Sequence, residues 1–543
     1  MRTDGMLEKR WLACAALVVL AVVPYLNTFS NPFMWDDIIQ IPENPSIRYG
    51  WKSVVMAFDL MNWGIAADII STKLFYRPFH SILSTIDYSI WGLDPLGYHI
   101  TNTLLHLGNT LLFYAVAVKL SNNRTAAFVG AAIFAVHPAH TESVTFISSR
   151  PDLLCALFLQ ISFLLYMASG RAGKGGAPKS ALSLRHVLSL VFFVFALLSK
   201  EMVLMLPVFI AAYSVLFEPA GGRLKRIVPF FALLAAYILF RVFAMSQFAN
   251  LHGMKVALPT LAYSSSVVVL DYMRLLVFPW PLRTYYDTIW YSAVGWKVAL
   301  AFAVMLGSAA VALGALIKGK RLVAFSILWL YLGLAPVLNI GTLGEFSRAE
   351  RYLYTPSIGF CLLFGLVVGA LLKKGGRLKA ATPYAVSLIV VVFIVMTMAR
   401  NRVWATDLLF YGDMAAKAPL STLPHANLAH AYMRDGQNDK AVEEYLYAIN
   451  IAQSNHELRY ELGMLYIRMG RPHDALGQLQ RAVELKPDFA KGLNALGVAF
   501  AETGDLHRAE MSFRSALAHD PGSADAARNL QRVLGAKKGN GTE

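Results

Sequence analysis

Two adjacent carboxylates, Asp36 and Asp37, stand in Asn31-Pro32-Phe33-Met34-Trp35-Asp36-Asp37, directly after an apolar run and among aromatic neighbours. A carboxylate partly withdrawn from water has a raised pKa, which suits it to take a proton from a hydroxyl, while the second acid orients the first or holds the acceptor. Adjacent acids in a loop are more often merely solvated. It is the apolar setting that favours chemistry here. A second cluster, His137-Pro138-Ala139-His140-Thr141-Glu142, is followed by Ser148-Ser149-Arg150-Pro151-Asp152. His137, His140 and Glu142 are zinc-ligand types, but their spacing departs from the helical H-E-x-x-H pattern and Pro138 interrupts it. Lining a polar cavity by hydrogen bonds is the expected role. A third set is cationic: Arg77, Lys200, Arg348 and Arg351. Salt bridges to Glu201, Glu345 and Glu350 would explain any one of these, whereas together they suit a lipid-linked phosphate, which needs fork-like or ammonium donors in a partly dry site. Asp87, Asp94, His99 and His106 are assigned to helix ends and bundle hydrogen bonds, and Phe278 to Asp287 to an interfacial aromatic belt.

The elements that must hold these residues are membrane helices. Of 543 residues, 56% are hydrophobic and 15% charged, and the mean hydropathy is +0.49, which excludes an ordinary water-soluble enzyme. Residues 400–543 carry 17 Lys+Arg and 17 Asp+Glu, so the net charge of +15 belongs to residues 1–399. That excess fits cytoplasmic loops and argues against nucleic-acid binding. Cys14, Cys155 and Cys361 each sit in an apolar run, leaving no disulfide framework and no cysteine metal site. The run 11–29 follows Lys9 and Arg10 and reads as an uncleaved signal anchor. Further apolar runs lie near 99–120, 125–138, 152–168, 186–199, 202–217, 228–246, 295–317, 322–340, 352–373 and 381–399. With 258–280 taken as re-entrant or interfacial, the basic loops at 122–124, 171–185, 223–226, 318–321 and 373–379 all fall on one side. About eleven crossings result, and the loop 30–98 and everything after Arg400 face away from the cytoplasm.

Downstream the sequence repeats with a period of 34: Ala429, Gly463 and Gly497; Tyr432, Tyr466 and Phe500; Gly436, Gly470 and Gly504; Ala441, Ala475 and Ala509; Ala448, Ala482 and Ala516. This is the tetratricopeptide repeat, an antiparallel helix pair whose small residues allow close approach and whose concave stack holds peptides or partner proteins. The fold expected is therefore all-α. Residues 1–399 form a polytopic bundle, 400–421 a linker and half repeat, 422–523 three repeats, and 524–543 a capping helix and tail.

Several segments occur in a telling order: WDD, YRPF, GLDPLGYHITNTLLH, FAVHPAHTESV, SSRPDLL, LLSKE and AERYLYTPSIGF, ending in the repeats. The chain resembles the transmembrane O-mannosyltransferases that carry such repeats, together with their bacterial relatives, within the GT-C membrane glycosyltransferases. The resemblance implies a polyprenyl-phosphate sugar as donor, a protein Ser or Thr hydroxyl as acceptor, and Asp36 and Asp37 as the catalytic pair. It places His137, His140, Glu142, Arg150, Lys200, Arg348, Glu350 and Arg351 around the donor or acceptor cavity, with Arg77 and Glu201 beside them. A single displacement with inversion follows. No cofactor beyond the lipid-linked donor is expected. Paired acids can bind a divalent ion, but with no third acid at suitable spacing no metal is predicted. The expected residence is a bacterial inner membrane with periplasmic repeats, the alternative being the endoplasmic reticulum with the repeats in its lumen. Two other functions compete: a non-catalytic scaffold presenting the repeats, and a glycan-directed sugar transferase. A flippase would show two-fold repetition among the spans, and none is found.

Overall fold

The computed structural model describes residues 10–59, 76–170, 183–246, 256–287, 289–338 and 348–540. Lys9, Glu345 and most of the basic segment 171–185 lie outside them. Among the described residues all regular structure is helical. The chain divides into compact units Met1–Thr406 and Asp407–Glu543. The division falls after 399 because the last apolar helix continues to Asn401 and a 3-10 turn, Arg402–Trp404, follows it.

Among the described residues, twelve apolar helices build the first unit: α1 Arg10–Val22, α2 Pro95–Ser121, α3 Arg124–Val136, α4 Arg150–Ser169, α5 Leu184–Leu197, α6 Leu206–Phe217, α7 Arg223–Ser246, α8 Leu258–Val277, α9 Trp296–Ile317, α10 Arg321–Leu334, α11 Ser357–Lys373 and α12 Gly376–Asn401. Seven of them (α1 with its 3-10 extension, α2, α4, α7, α8, α9 and α12) are long and apolar enough to cross a bilayer. This unit is an integral membrane domain. Local signals set the helix ends. Asp94 caps α2 by accepting from the Leu96 amide at 3.0 Å, with Pro95 in the first turn. Asn122 ends α2 in the left-handed region, and Asn123 caps α3 by accepting from the Ala126 amide. The helices α3 and α11 touch backbone to backbone: a Cβ on Gly365 would stand 2.2 Å from the Ala126 carbonyl oxygen, the close approach that small residues permit in membrane helices.

Contacts between helix ends show the direction of several helices. At the end of the unit that holds Asp36, the exit of α1 meets Asn401 at the end of α12, which donates to the Pro24 carbonyl at 2.7 Å. Arg150 at the start of α4, Lys200 after α5, Glu201 before α6 and Arg241 near the end of α7 gather at that same end. At the opposite end Tyr166 of α4 meets Ser214 of α6, Arg226 of α7 meets Ser169, and Arg321 of α10 donates to the Leu216 carbonyl. Among the described residues these contacts give the directions of α1, α4, α5, α6, α7, α10 and α12, and none of them involves α8. It is one uninterrupted helix of 20 residues, rather than a broken loop. Yet α7 brings the chain to the Asp36 end, and α9 departs from that end. Val267 of α8 packs on Val298 and Ala301 in the first turns of α9. The segment expected to be re-entrant or interfacial is thus a continuous helix, long and apolar enough to cross a bilayer, and Arg400 lies at the Asp36 end.

The second unit comprises α13 Asp407–Lys417, α14 Thr422–Arg434, α15 Asn438–Ile451, α16 His456–Arg468, α17 Pro472–Leu485, α18 Ala490–Glu502, α19 Leu506–His519 and α20 Ala524–Asn540. Gly436, Gly470 and Gly504 take φ of 77°, 71° and 85° at the turn inside each helix pair, a conformation glycine adopts without Cβ strain. Ala441, Ala475 and Ala509 are fully buried where the paired helices meet, beside Tyr445, Leu479 and Phe513.

Candidate active site

The loop after α1 turns sharply into the short helix Asp36–Gln40. Trp35 sits at φ 50° and ψ −117°, a strained conformation for a bulky residue. Its ring stacks on Phe146 at 6.5 Å, and Phe146 stacks on Trp404 at 5.1 Å. Asn401 adds further ties, accepting from the Thr145 hydroxyl at 2.9 Å and, through its carbonyl, from the Asn31 amide at 3.5 Å. The strain at Trp35 is thus held by α12 and by the segment that follows α3.

This loop separates the two acids. Asp37 is buried: its Oδ1 accepts from the Ser148 amide at 2.7 Å and from the Ser148 hydroxyl, and its Oδ2 accepts from the Met34 amide at 3.1 Å. Burial pushes its pKa up to about 7, against those donors. Asp36 is only partly covered, and among the described residues its carboxylate receives no hydrogen bond. Burial raises its pKa too, and the charge of Arg351 opposes the rise. Asp37 is thus tied into the loop by three hydrogen bonds, whereas Asp36 carries none among the described residues.

Around Asp36 the polar groups form ion pairs. Arg351 pairs with Glu142, which also accepts from the Arg351 amide at 3.0 Å. Lys200 donates to both oxygens of Asp152 at 2.6 Å. Lys200 and Arg351 both lie near the Tyr352 ring, at 5.2 and 5.4 Å from its centroid. Arg77 and Arg241 share Glu201 at 2.8 and 2.6 Å. Of the sequence-derived set, Arg77, Glu142, Lys200, Glu201 and Arg351 therefore gather with Asp36, and their partners are largely not those expected. Arg241 and Asp152 were not assigned from sequence. Arg241 is a lone cation near the end of an apolar run, which is itself a signal for function. Asp152 stood in view beside Arg150, but nothing local pointed to Lys200.

Other expected cavity residues prove to be internal ties. Arg150 is 0% exposed; it donates to Asp87 at 2.8 Å and lies 5.4 Å from the Tyr98 ring, behind the loop. Asp87 also accepts from Thr101, in keeping with its bundle role. His137 donates through Nε2 to the Leu276 carbonyl at 3.0 Å while its Nδ1 accepts from the Ala139 amide. His140 bonds the Phe134 carbonyl and Ser357, each at 2.9 Å. With both ring nitrogens engaged and no exposure, these histidines join α3, α8 and α11 and line no open cavity. Arg348 pairs with Asp271 of α8 at 2.8 Å. Glu350 is buried, accepts from the Tyr286 hydroxyl at 2.9 Å and from the Arg283 amide, and lies 4.0 Å from Arg400. Burial pushes its pKa up to about 7. Arg348 and Glu350 thus anchor the 278–287 segment, whose Trp280 stays exposed as a belt residue would while Tyr285 and Tyr286 turn inward.

A helical membrane domain with a buried polar site at one end, followed by a tetratricopeptide array, defines the class. Profiles described as tetratricopeptide repeat match residues 425–455 and 460–524. The chain is 28% identical over 452 residues to a protein O-mannosyl-transferase of Caenorhabditis elegans, covering 81% of this chain and 62% of that one. It is 23% identical to protein O-mannosyl-transferase TMTC3 of Mus musculus, over 93% of this chain and 60% of the relative, and 27% identical to TMTC1 of Homo sapiens, over 83% and 56%. The solved structure of MamA protein is 21% identical, with a TM-score of 0.23 over 24% of this chain and 72% of that one. Over most of its length the chain is thus similar to proteins named protein O-mannosyl-transferase, and it spans 56% to 62% of the length of these three relatives.

Proposed function

We propose that the chain is a membrane O-mannosyltransferase that moves a sugar from a polyprenyl-phosphate carrier to a protein Ser or Thr hydroxyl on the non-cytoplasmic face. The observation that carries this reading is Asp36: a carboxylate without a hydrogen bond among the described residues, its pKa raised by burial, beside Arg351 on a loop that Asp37 pins. Asp36 takes the acceptor proton as the oxygen attacks the anomeric carbon, which would invert.

The charge balance of the site supports the leaving-group step. Arg77, Lys200, Arg241 and Arg351 stand against Asp36, Glu142, Asp152 and Glu201. When Asp36 is protonated this balanced group becomes net positive, just as the departing lipid phosphate gains negative charge. Among the described residues no group of three or more His, Cys, Asp or Glu side chains has the arrangement of a metal site. The relatives' names support mannose as the sugar and protein as the acceptor.

The test uses purified protein, radiolabelled polyprenyl-phosphate mannose and Ser/Thr peptides. Transfer that disappears in Asp36→Asn supports the reading. Undiminished transfer by that variant, or no transfer to any peptide while another lipid-linked sugar is consumed, defeats it. A scaffold would keep its cellular phenotype when both Asp36 and Asp37 are changed to Asn.

A further inference from the structure

The repeat unit contains a cleft of about 420 Å³ lined by Tyr411, Asn427, His430, Met433, Arg434 and Arg468. Its position follows from the repeat. Residues 34 apart occupy equivalent places, so Arg434 and Arg468 close the first helices of successive repeats, α14 and α16, and His430 and Asn427 lie about one and two turns earlier on α14. The equivalent residue of the third repeat is Glu502, so at this position of the repeat the charge changes sign towards the carboxyl-terminal end of the array.

The cleft has donors to spare. Among the described residues neither the Arg468 guanidinium nor the Asn427 amide has a hydrogen-bond partner; none of the six lining residues is acidic, and the nearby acid, Glu461, acts on His430 against Arg434 and Arg468. Arg434 pairs with Asp407 at 2.7 Å, but its side chain is 55% exposed, and exposed pairs of this kind are weak enough for another carboxylate to replace. Tyr411 and Met433 add an aromatic face and an adaptable apolar one, which suit the methylene stem of a side chain. A planar guanidinium with an amide nearby matches the two oxygens of a carboxylate.

We propose that this cleft binds an extended segment of another protein through an Asp or Glu side chain, held by Arg468 with Asn427 and Arg434 as further donors. This rests on the repeats being a protein-binding element and is independent of sugar transfer. The orientation of the segment follows from the change of sign at Glu502: its acidic end lies over the first two repeats.

The experiment uses the full chain in nanodiscs and fluorescence anisotropy of labelled peptides with amidated C-termini, identical except for Glu or Gln at two central positions. The Glu peptide binds at least tenfold more tightly, the difference shrinks in high salt, Arg468→Gln removes it, and Arg468→Glu shifts the preference to a Lys peptide. Circular dichroism checks that these exposed substitutions leave the helices intact. Equal affinity for Glu and Gln peptides, no measurable binding of either, an unchanged preference in Arg468→Gln, or binding only when the peptide C-terminus is a free carboxylate overturns the proposal. Transfer activity on the same preparation separates the two readings: an inactive protein that still prefers the Glu peptide loses only the enzymatic one.

Discussion

Asp36 and Asp37 are chemically identical side chains one peptide apart, and their roles diverge because only one of them is supplied with donors. Asp37 receives hydrogen bonds from Ser148 and Met34. Asp36→Asn should therefore lower turnover by about 10²–10⁴-fold, the usual contribution of a general base, without lowering affinity for the lipid-linked donor; a transfer assay with donor binding measured separately checks both. Asp37→Ala should instead lower stability by about 1–3 kcal/mol, because buried amides lose their acceptor, and its activity loss should follow its melting temperature. The direction of the pH dependence is fixed by the proton Asp36 must accept. The base works only when ionised, and burial raises its pKa, so kcat/KM should climb with pH along a limb displaced above the ordinary carboxylate range of about 4. A profile already flat from about pH 4 upward would contradict this.

At the scale of elements, the buried ties decide where the site can form. Arg150 and Asp87 pair with almost no exposure, so Arg150→Met leaves an isolated buried carboxylate. It should cost about 3–5 kcal/mol, and adding Asp87→Leu should recover much of that, as thermal unfolding in detergent would show. Gly365 permits the backbone contact between α3 and α11. Gly365→Leu should push these helices apart at a cost of about 1–3 kcal/mol, and it should reduce activity at a distance, because α3 leads into the His137 to Glu142 segment and α11 follows Glu350 and Arg351. Sequence order showed that these motifs exist. It did not show that His137 and His140 spend their ring nitrogens on helix ends, since burial and partners depend on segments far away in the chain, Leu276 and Ser357 among them.

At the scale of the whole membrane domain, contacts between helix ends put the Asp36 loop and Arg400 at one end, and the basic segments 223–226 and 318–321 at the other. The proposed function requires the second end to be cytoplasmic, which is the side the positive-inside tendency favours for these basic segments. In a protein freed of its natural cysteines, Glu43→Cys should react with a membrane-impermeant maleimide in intact cells, while Lys320→Cys should react only after permeabilisation. The opposite pattern would place the acid pair in the cytosol and remove the proposed donor-facing site.

Composition, charge asymmetry and the period of 34 were enough to establish an all-helical membrane domain followed by a repeat array. These features arise from transfer free energy and from helix geometry, which act through neighbours in sequence. The acid pair was legible for the same reason, as two charges set against an apolar run. Ion-pair partnership was not: Lys200 finds Asp152, Arg351 finds Glu142, and Arg77 and Arg241 converge on Glu201. Such pairs depend on distance and desolvation in the packed bundle, and those are set only when helices remote in the chain come together. The same packing withheld donors from Asp36 and gave them to Asp37.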